Sequence, residues 1–423
     1  MPLWVVDFRQ RVLVSLWFIP AIFVAGSIAL ANLVLWLDSV VAAPVALRPD
    51  LVPDQDAASN LAGAIAAATL AFVAVVFATT LVAIQLAASQ YSPRTVRIFI
   101  RSRVTRVTLG LFLATFVFSL IVLVDNRSSL SSARQFAPVV SATTLLALTV
   151  ATVVGFVTYL HGVVRLMRVQ YLLEEIATES RRAVEENFPP ASAYLDAQPP
   201  QPSPSPQILA YAGTTGVLTA VDLHGLVEAC RQQNCWVELN VGTGEYLDHG
   251  THFAVVHGGE LADHDVTRFF LVRGERTFVQ DPGFGFRQLA DVAIRALSPA
   301  VNDPTTAVQA IDRISDLLGL VGRRPEPTGL LVDSAGLVRV KGKWRGFDEM
   351  LTLSLTEIIR YGADAPQVVR RLLAMFNELE VTLPVERRAA VDGQRDLLDA
   401  AARAALPGPF TQVASVPDRE GLG

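Results

Sequence analysis

The chain has 423 residues, 51% of them hydrophobic and only 18% charged, with a mean hydropathy of +0.40. Those values exclude both an ordinary soluble protein and a bare membrane bundle, and they fit a membrane part joined to a soluble part. The charge divides the same way: residues 1–160 carry 10 Arg and 6 acids, whereas residues 161–423 carry 25 Lys or Arg against 34 acids, a balance that argues against nucleic acid as a partner.

In chain order, four uncharged runs are long enough to span a bilayer: Val12–Leu37, Leu61–Ala88, Val107–Val124 and Phe136–Leu160. No small-residue cleavage site follows the N-terminus, so the first run is expected to persist as a helix, with Trp4, Trp17 and Trp36 as interface anchors. The loop after it carries Arg48 and four Asp, whereas the next loop carries Arg94, Arg97, Arg101, Arg103 and Arg106. Positive-inside counting therefore expects a multi-pass inner-membrane protein with four transmembrane helices and both termini in the cytoplasm, N-in and C-in. The five arginines have two readings: a topology signal touching anionic membrane lipid, or a ring of charge at a cytoplasmic mouth in an oligomer.

The second run organises the rest. From Ala57 to Pro93 there is no Asp, Glu, Lys, Arg or His. As a helix it reaches roughly 55 Å against a hydrocarbon core of roughly 30 Å. Ala64, Ala67, Ala71, Ala74 and Ala78 alternate at spacings of three and four, a small-residue stripe that lets another helix backbone approach closely. Phe72, Val76, Phe77 and Thr80 are the candidate pore or gate residues, since an apolar constriction can close a channel. Helix–helix or helix–lipid packing accounts for these apolar side chains equally well. No span holds an ionisable residue in its middle, which disfavours an ion-coupled transporter.

After the fourth run, His161–Phe188 keeps a helical apolar period, so the fourth span is expected to continue as a rigid post, followed by Pro189–Pro206 with seven prolines as a linker. Ile208–Val279 reads as strands around a short helix at Leu223–Gln233. Val237–Val256 looks like half of a biotinyl-type barrel, yet residues 183–340 hold no Lys to carry a cofactor, so none is expected. Cys230, Cys235, His249 and His252 approach zinc-finger spacing, but a helix and a β turn would separate them, and no metal is assigned. In Gln280–Leu318 two helices are expected, begun by Asp281-Pro282 and Asp303-Pro304 as cap and first-turn proline. Arg287, Asp291 and Arg295 form a charged ladder on the first of them. Asn302, Asp303, Thr305 and Thr306 are either that second cap or a weak ligand site at an open helix N-terminus, with Asp303 opposing an anion. Gly329–Trp344 reads as a hairpin, Phe347 to Ala404 as helices broken near Gly362–Pro366 and Leu383–Pro384, and Pro407–Gly423 as a loose tail.

The expected fold is thus an α-helical membrane domain followed by a cytoplasmic α+β domain with a small barrel-like β module and helical hairpins. Its expected divisions are 1–165 membrane, 166–206 helical extension and linker, 207–280 β-rich, 281–406 mainly helical, and 407–423 tail. No nucleophile motif, P-loop, Rossmann fingerprint or H-E-x-x-H occurs, so nothing points to an enzyme.

Three segments, SLWFIPAIF (Ser15–Phe23), Val75–Phe116 and Gln280–Ala307, resemble a bacterial family of predicted membrane proteins, domain of unknown function 2254. The resemblance implies four spans and a cytoplasmic C-terminal domain, and it supplies no reaction, substrate or site residue. The expected function is a homo-oligomeric ion channel with a cytoplasmic vestibule. The alternative is a membrane-anchored sensor or scaffold for a cytoplasmic ligand or partner.

Overall fold

The computed structural model describes residues 17–45, 55–90, 103–130, 139–188, 198 and 200–419. Trp4, Arg48, Arg94, Arg97 and Arg101, and most of the proline-rich segment, lie outside the described residues. The chain forms two compact units that divide between Arg168 and Val169.

Among its described residues, the N-terminal unit contains four helices long and apolar enough to cross a membrane: α1 (Phe18–Val45), α2 (Gln55–Gln90), α3 (Arg103–Leu130) and α4 (Val139–Leu166). Helix α3 is the most enclosed, packing against both α1 and α4. Gly110 permits this approach, since a methyl group there would meet the Phe23 ring at 2.9 Å. Four hydroxyls of this unit turn inward to carbonyls and to each other: Ser27 donates to the Ala114 carbonyl (2.6 Å), Ser119 to that of Thr115 (2.7 Å), and Thr115 pairs with Thr152 (2.8 Å). In a medium without water, such bonds are how a polar side chain is accommodated between helices. Asp38, near the end of α1, is buried and caps α4, accepting from the backbone N–H groups of Val140 (2.8 Å) and Ser141 (3.0 Å).

The C-terminal unit opens with α5 (Val169–Asn187). The expected rigid post is corrected here: the helical run is interrupted at Met167 and Arg168. The physical reason is the amphipathic face of α5, where Leu172, Leu173, Ile176, Ala177, Ser180, Ala183 and Val184 are buried. That face packs against α8 (Pro282–Ala296) and α9 (Pro304–Gly322), so α5 joins the C-terminal core.

The strands are β1 (Gln207–Ala210), β2 (Gly216–Val221), β3 (Trp236–Leu239), β4 (Tyr246–Leu247), β5 (His252–His257), β6 (Phe270–Arg273), β7 (Leu330–Val332) and β8 (Val338–Lys341), with α6 (Leu223–Gln232) and α7 (Asp263–Thr267) between them. They build a five-stranded sheet, β1-β5-β3-β8-β7, and a three-stranded sheet, β4-β2-β6. All pairings are antiparallel except β3 with β8. The expected hairpin is present as β7–β8. It belongs to the larger sheet instead of standing among the helices, because β8 pairs with β3. Asp333 shapes its turn, accepting from the N–H groups of Ala335 (2.9 Å) and Leu337 (3.1 Å), and Arg339 closes on the same carboxylate at 2.8 Å. Leu218, Leu247, Val237, Phe253 and Val340, drawn from both sheets, share one core with Leu226 and Cys230 of α6.

Helix α8 is enclosed on nearly every side, with Phe286, Leu289, Ala290, Val292 and Ala293 fully buried. It packs on α5, α9 and α10 (Phe347–Gly362). Helices α11 (Pro366–Thr382) and α12 (Arg388–Ala405) follow at the expected breaks. The expectation of a loose tail is also corrected. Residues Gly408–Ala414 form α13, and Arg370 of α11 holds the segment beyond it through the Val416 carbonyl (3.2 Å) and Asp418 (3.3 Å).

Candidate functional site

Helix α2 has two unlike faces. Ala62, Ile65, Ala66, Thr69, Val73, Val76 and Ala83 are buried against the other spans, at the spacing of one helix face. Ala64, Ala67, Ala71, Ala74 and Ala78 all lie exposed on the opposite face. The stripe is therefore free of intrachain packing.

The candidate pore residues are not on that face. Val76 is buried beside Leu109, Phe112 and Tyr159. Phe72 sits within an aromatic group, its ring tilted 5.0 Å from that of Phe156 and 5.8 Å from that of Phe112. Thr80 donates to the Val76 carbonyl (2.7 Å) and pairs with the Tyr159 hydroxyl (2.6 Å). Phe77 is half exposed, on the other flank of the buried face. Phe72, Val76 and Thr80 are thus brought together, but as the joint between α2 and α4. Tyr159 is the hub: its hydroxyl also meets Thr79 (2.9 Å) and the Val76 carbonyl (3.0 Å). Among the described residues the polar side chains exposed on the stripe face are Asp56 and Asn60 near the start of α2 and Gln85 near its end, and the exposed side chains between Asn60 and Gln85 are all apolar.

Of the five arginines, Arg103 is exposed at the start of α3 and Arg106 is buried one turn further. One exposed and one buried guanidinium do not make a common surface.

The Asn302–Thr306 group is consumed by its own helix. Asp303 accepts from the Thr306 N–H (3.1 Å) and from the Thr306 hydroxyl (2.6 Å), the side-chain cap of α9, with Pro304 in the first turn. Asn302 takes a left-handed conformation (φ 49°) to turn the chain into it, and Thr305 is exposed, accepting from Gln367 at 3.4 Å. Cys230 and Cys235 face the β core, whereas His249 and His252 are exposed, so the four do not converge. The thiol–thiol hydrogen bond and burial push Cys230 up, while that same bond draws Cys235 down.

A polar cleft that the sequence reading did not single out lies where α8 begins. Asp281 was expected to cap α8, yet its carboxylate makes no cap bond. It is drawn to Arg276 instead, with the guanidinium Nε and Nη2 at 2.8 and 2.7 Å. Burial pushes the Asp281 carboxyl up, against the opposing pull of Arg276 and Arg345. Gly244 (φ +88°) admits this pair, since a side chain there would strike the Asp281 carboxylate and Arg276. Neighbouring bonds sew the β and helical parts together: Gln280 accepts from the Val221 N–H (2.8 Å) and donates to its carbonyl (3.1 Å), and Lys343 pairs with Glu245 (2.7 Å). One turn on, Gly285 gives passage to α5, where any Cβ would collide with Ser180. The glycines of Gly283-x-Gly285 thus serve close packing. The cleft is narrow, and its groups are spent on each other.

The family described as predicted membrane protein (DUF2254) matches residues 14–378. An uncharacterized protein of Mycobacterium tuberculosis is 26% identical over 379 residues, covering 84% of this chain and 72% of that protein. An uncharacterized protein of Mycobacterium bovis matches to the same extent. No solved structure matches the chain.

Proposed function

The chain belongs to the DUF2254 family of predicted membrane proteins, and from that premise we propose that it is a membrane-anchored sensor or scaffold that works as an assembly of several copies. The four spans hold it in the inner membrane with both termini in the cytoplasm, the orientation supported by the arginines from Arg94 to Arg106. Copies join along the outward alanine stripe of α2, where small side chains allow backbone contact that bulky lipid-facing residues would prevent. The C-terminal unit is the working part. Its two sheets on one core support the barrel-like reading of residues 207–280.

One observation carries the choice of sensor over channel: the threonines of α2 are turned into its own bundle. Thr69, Thr79 and Thr80 bond to carbonyls or to Tyr159, leaving an open face that is apolar between Asn60 near its start and Gln85 near its end. A pore lined by that face would offer an ion almost nothing in exchange for its hydration shell. The channel reading retains one observation, the 36-residue length of α2, which exceeds a bilayer. Ion flux through liposomes holding the full-length protein separates the two. The sensor reading expects no flux above that of empty vesicles; a saturable, ion-selective flux would establish the channel.

A further inference from the structure

We propose that the C-terminal unit binds a small zwitterion with an apolar body, the chemistry of an apolar α-amino acid, in the cavity between α11, α12 and α13. The cavity measures about 290 Å³, close to the lower end of the range for small-molecule sites, about 300–1,000 Å³. Val369 and Leu373 of α11, Ala402 of α12 and Ala414 of α13 give it an apolar floor. The strap formed by residues 415–419 crosses beside it, held by Arg370 and by an Arg419–Glu378 pair at 2.8 Å.

The charges on its wall define the ligand. Arg395, Asp399 and Arg403 line the cavity from one face of α12, each four residues after the last. That spacing ordinarily closes an ion-pair ladder. Here it does not: Arg395 turns to Glu380 (2.6 Å) and Asn377 (2.9 Å) with its guanidinium over the Phe376 ring (5.7 Å), and neither the half-buried Asp399 nor the exposed Arg403 has an ion-pair or hydrogen-bond partner among the described residues. The Nε–H of Arg395 is also buried with no acceptor. A buried donor without a partner is costly and rare, and so points to a group that completes it. A ligand carboxylate would accept from Arg395 and pair with Arg403, its ammonium group would meet Asp399, and its apolar body would rest on the floor. A simple anion is less well matched, because Asp399 repels it. A purely apolar molecule would leave Asp399 and Arg403 unanswered.

The inference rests on taking the C-terminal unit as the working part, but it is tested by binding alone, independently of flux or copy number. Calorimetric titration of the detergent-solubilised full-length protein with L-leucine and L-phenylalanine is expected to show saturable binding. Two analogues, 4-methylpentanoate without the amine and 3-methylbutylamine without the carboxylate, are expected to bind at least about tenfold more weakly than leucine, because each leaves a charged partner unanswered. Asp399→Asn and Arg403→Gln are each expected to weaken leucine binding about tenfold while leaving the melting temperature of the ligand-free protein unchanged, as neither side chain has a partner to lose. No saturable heat from either amino acid would overturn the proposal, as would equal binding of the two analogues by the natural chain.

Discussion

His257 shows how one residue couples a fold to its solvent. Its ring is buried, stacked on Trp236 at 4.1 Å, and its Nδ1 accepts the Ser203 N–H at 3.1 Å. Burial lowers its pKa, partly offset by Glu238, so the folded chain resists a proton that the unfolded chain accepts near 6.5. The stability from the neutral ring is therefore complete above about pH 6.5 and is lost as pH falls through the depressed folded value. Melting temperature is expected to drop as pH falls below about 6.5, with a change in Trp236 fluorescence, and His257→Gln should flatten both dependences. A second residue acts by absence. Gly285→Ala would drive a methyl group into Ser180 and is expected to destabilise the C-terminal unit by about 1–3 kcal/mol, measured by chemical denaturation. An unchanged midpoint would mean that α5 does not dock on α8 in solution.

Among the elements, α2 carries the strongest claim about packing. Tyr159 of α4 ties three groups of α2 with one hydroxyl, so Tyr159→Phe should cost the membrane unit about 0.6–1.7 kcal/mol of unfolding free energy. Steric trapping in bicelles would read that loss, and equal stability would remove the joint from the account. The sequence made α2 legible as a span because thirty-seven residues without a charge have one comfortable solvent. It also made Asp303-Pro304 legible as a helix start, since cap chemistry is local. What it hid depended on partners remote in the chain. The orientation of Phe72 and Val76 is set by Phe112, Phe156 and Tyr159 on other helices. The diversion of Asp281 from capping needed Arg276 on the preceding loop and Gly244 across from it. The break at Met167 carries no glycine or proline, and only the buried face of α5 explains which unit the next helix joins.

At the scale of the whole molecule, the proposed function gives the membrane unit the work of anchoring and assembly and the C-terminal unit that of response. The division follows from where polar chemistry is left available. In the membrane unit Thr69, Thr79, Thr80, Thr115 and Ser119 are engaged with carbonyls or with other hydroxyls, and the outward face of α2 is apolar between Asn60 and Gln85. In the C-terminal unit the cavity beside α12 keeps two charges without partners. Small residues spaced for close approach, exposed in a single copy, are what an intersubunit seam requires before it is filled. The most direct measurement is native mass spectrometry of the full-length protein, alone and with Ala71→Leu and Ala74→Leu together. The account predicts a multiple of 45.7 kDa for the natural chain, falling toward the single-copy mass when leucines fill the seam. A natural chain that runs as a single copy of 45.7 kDa, or an assembly indifferent to the leucines, would contradict it.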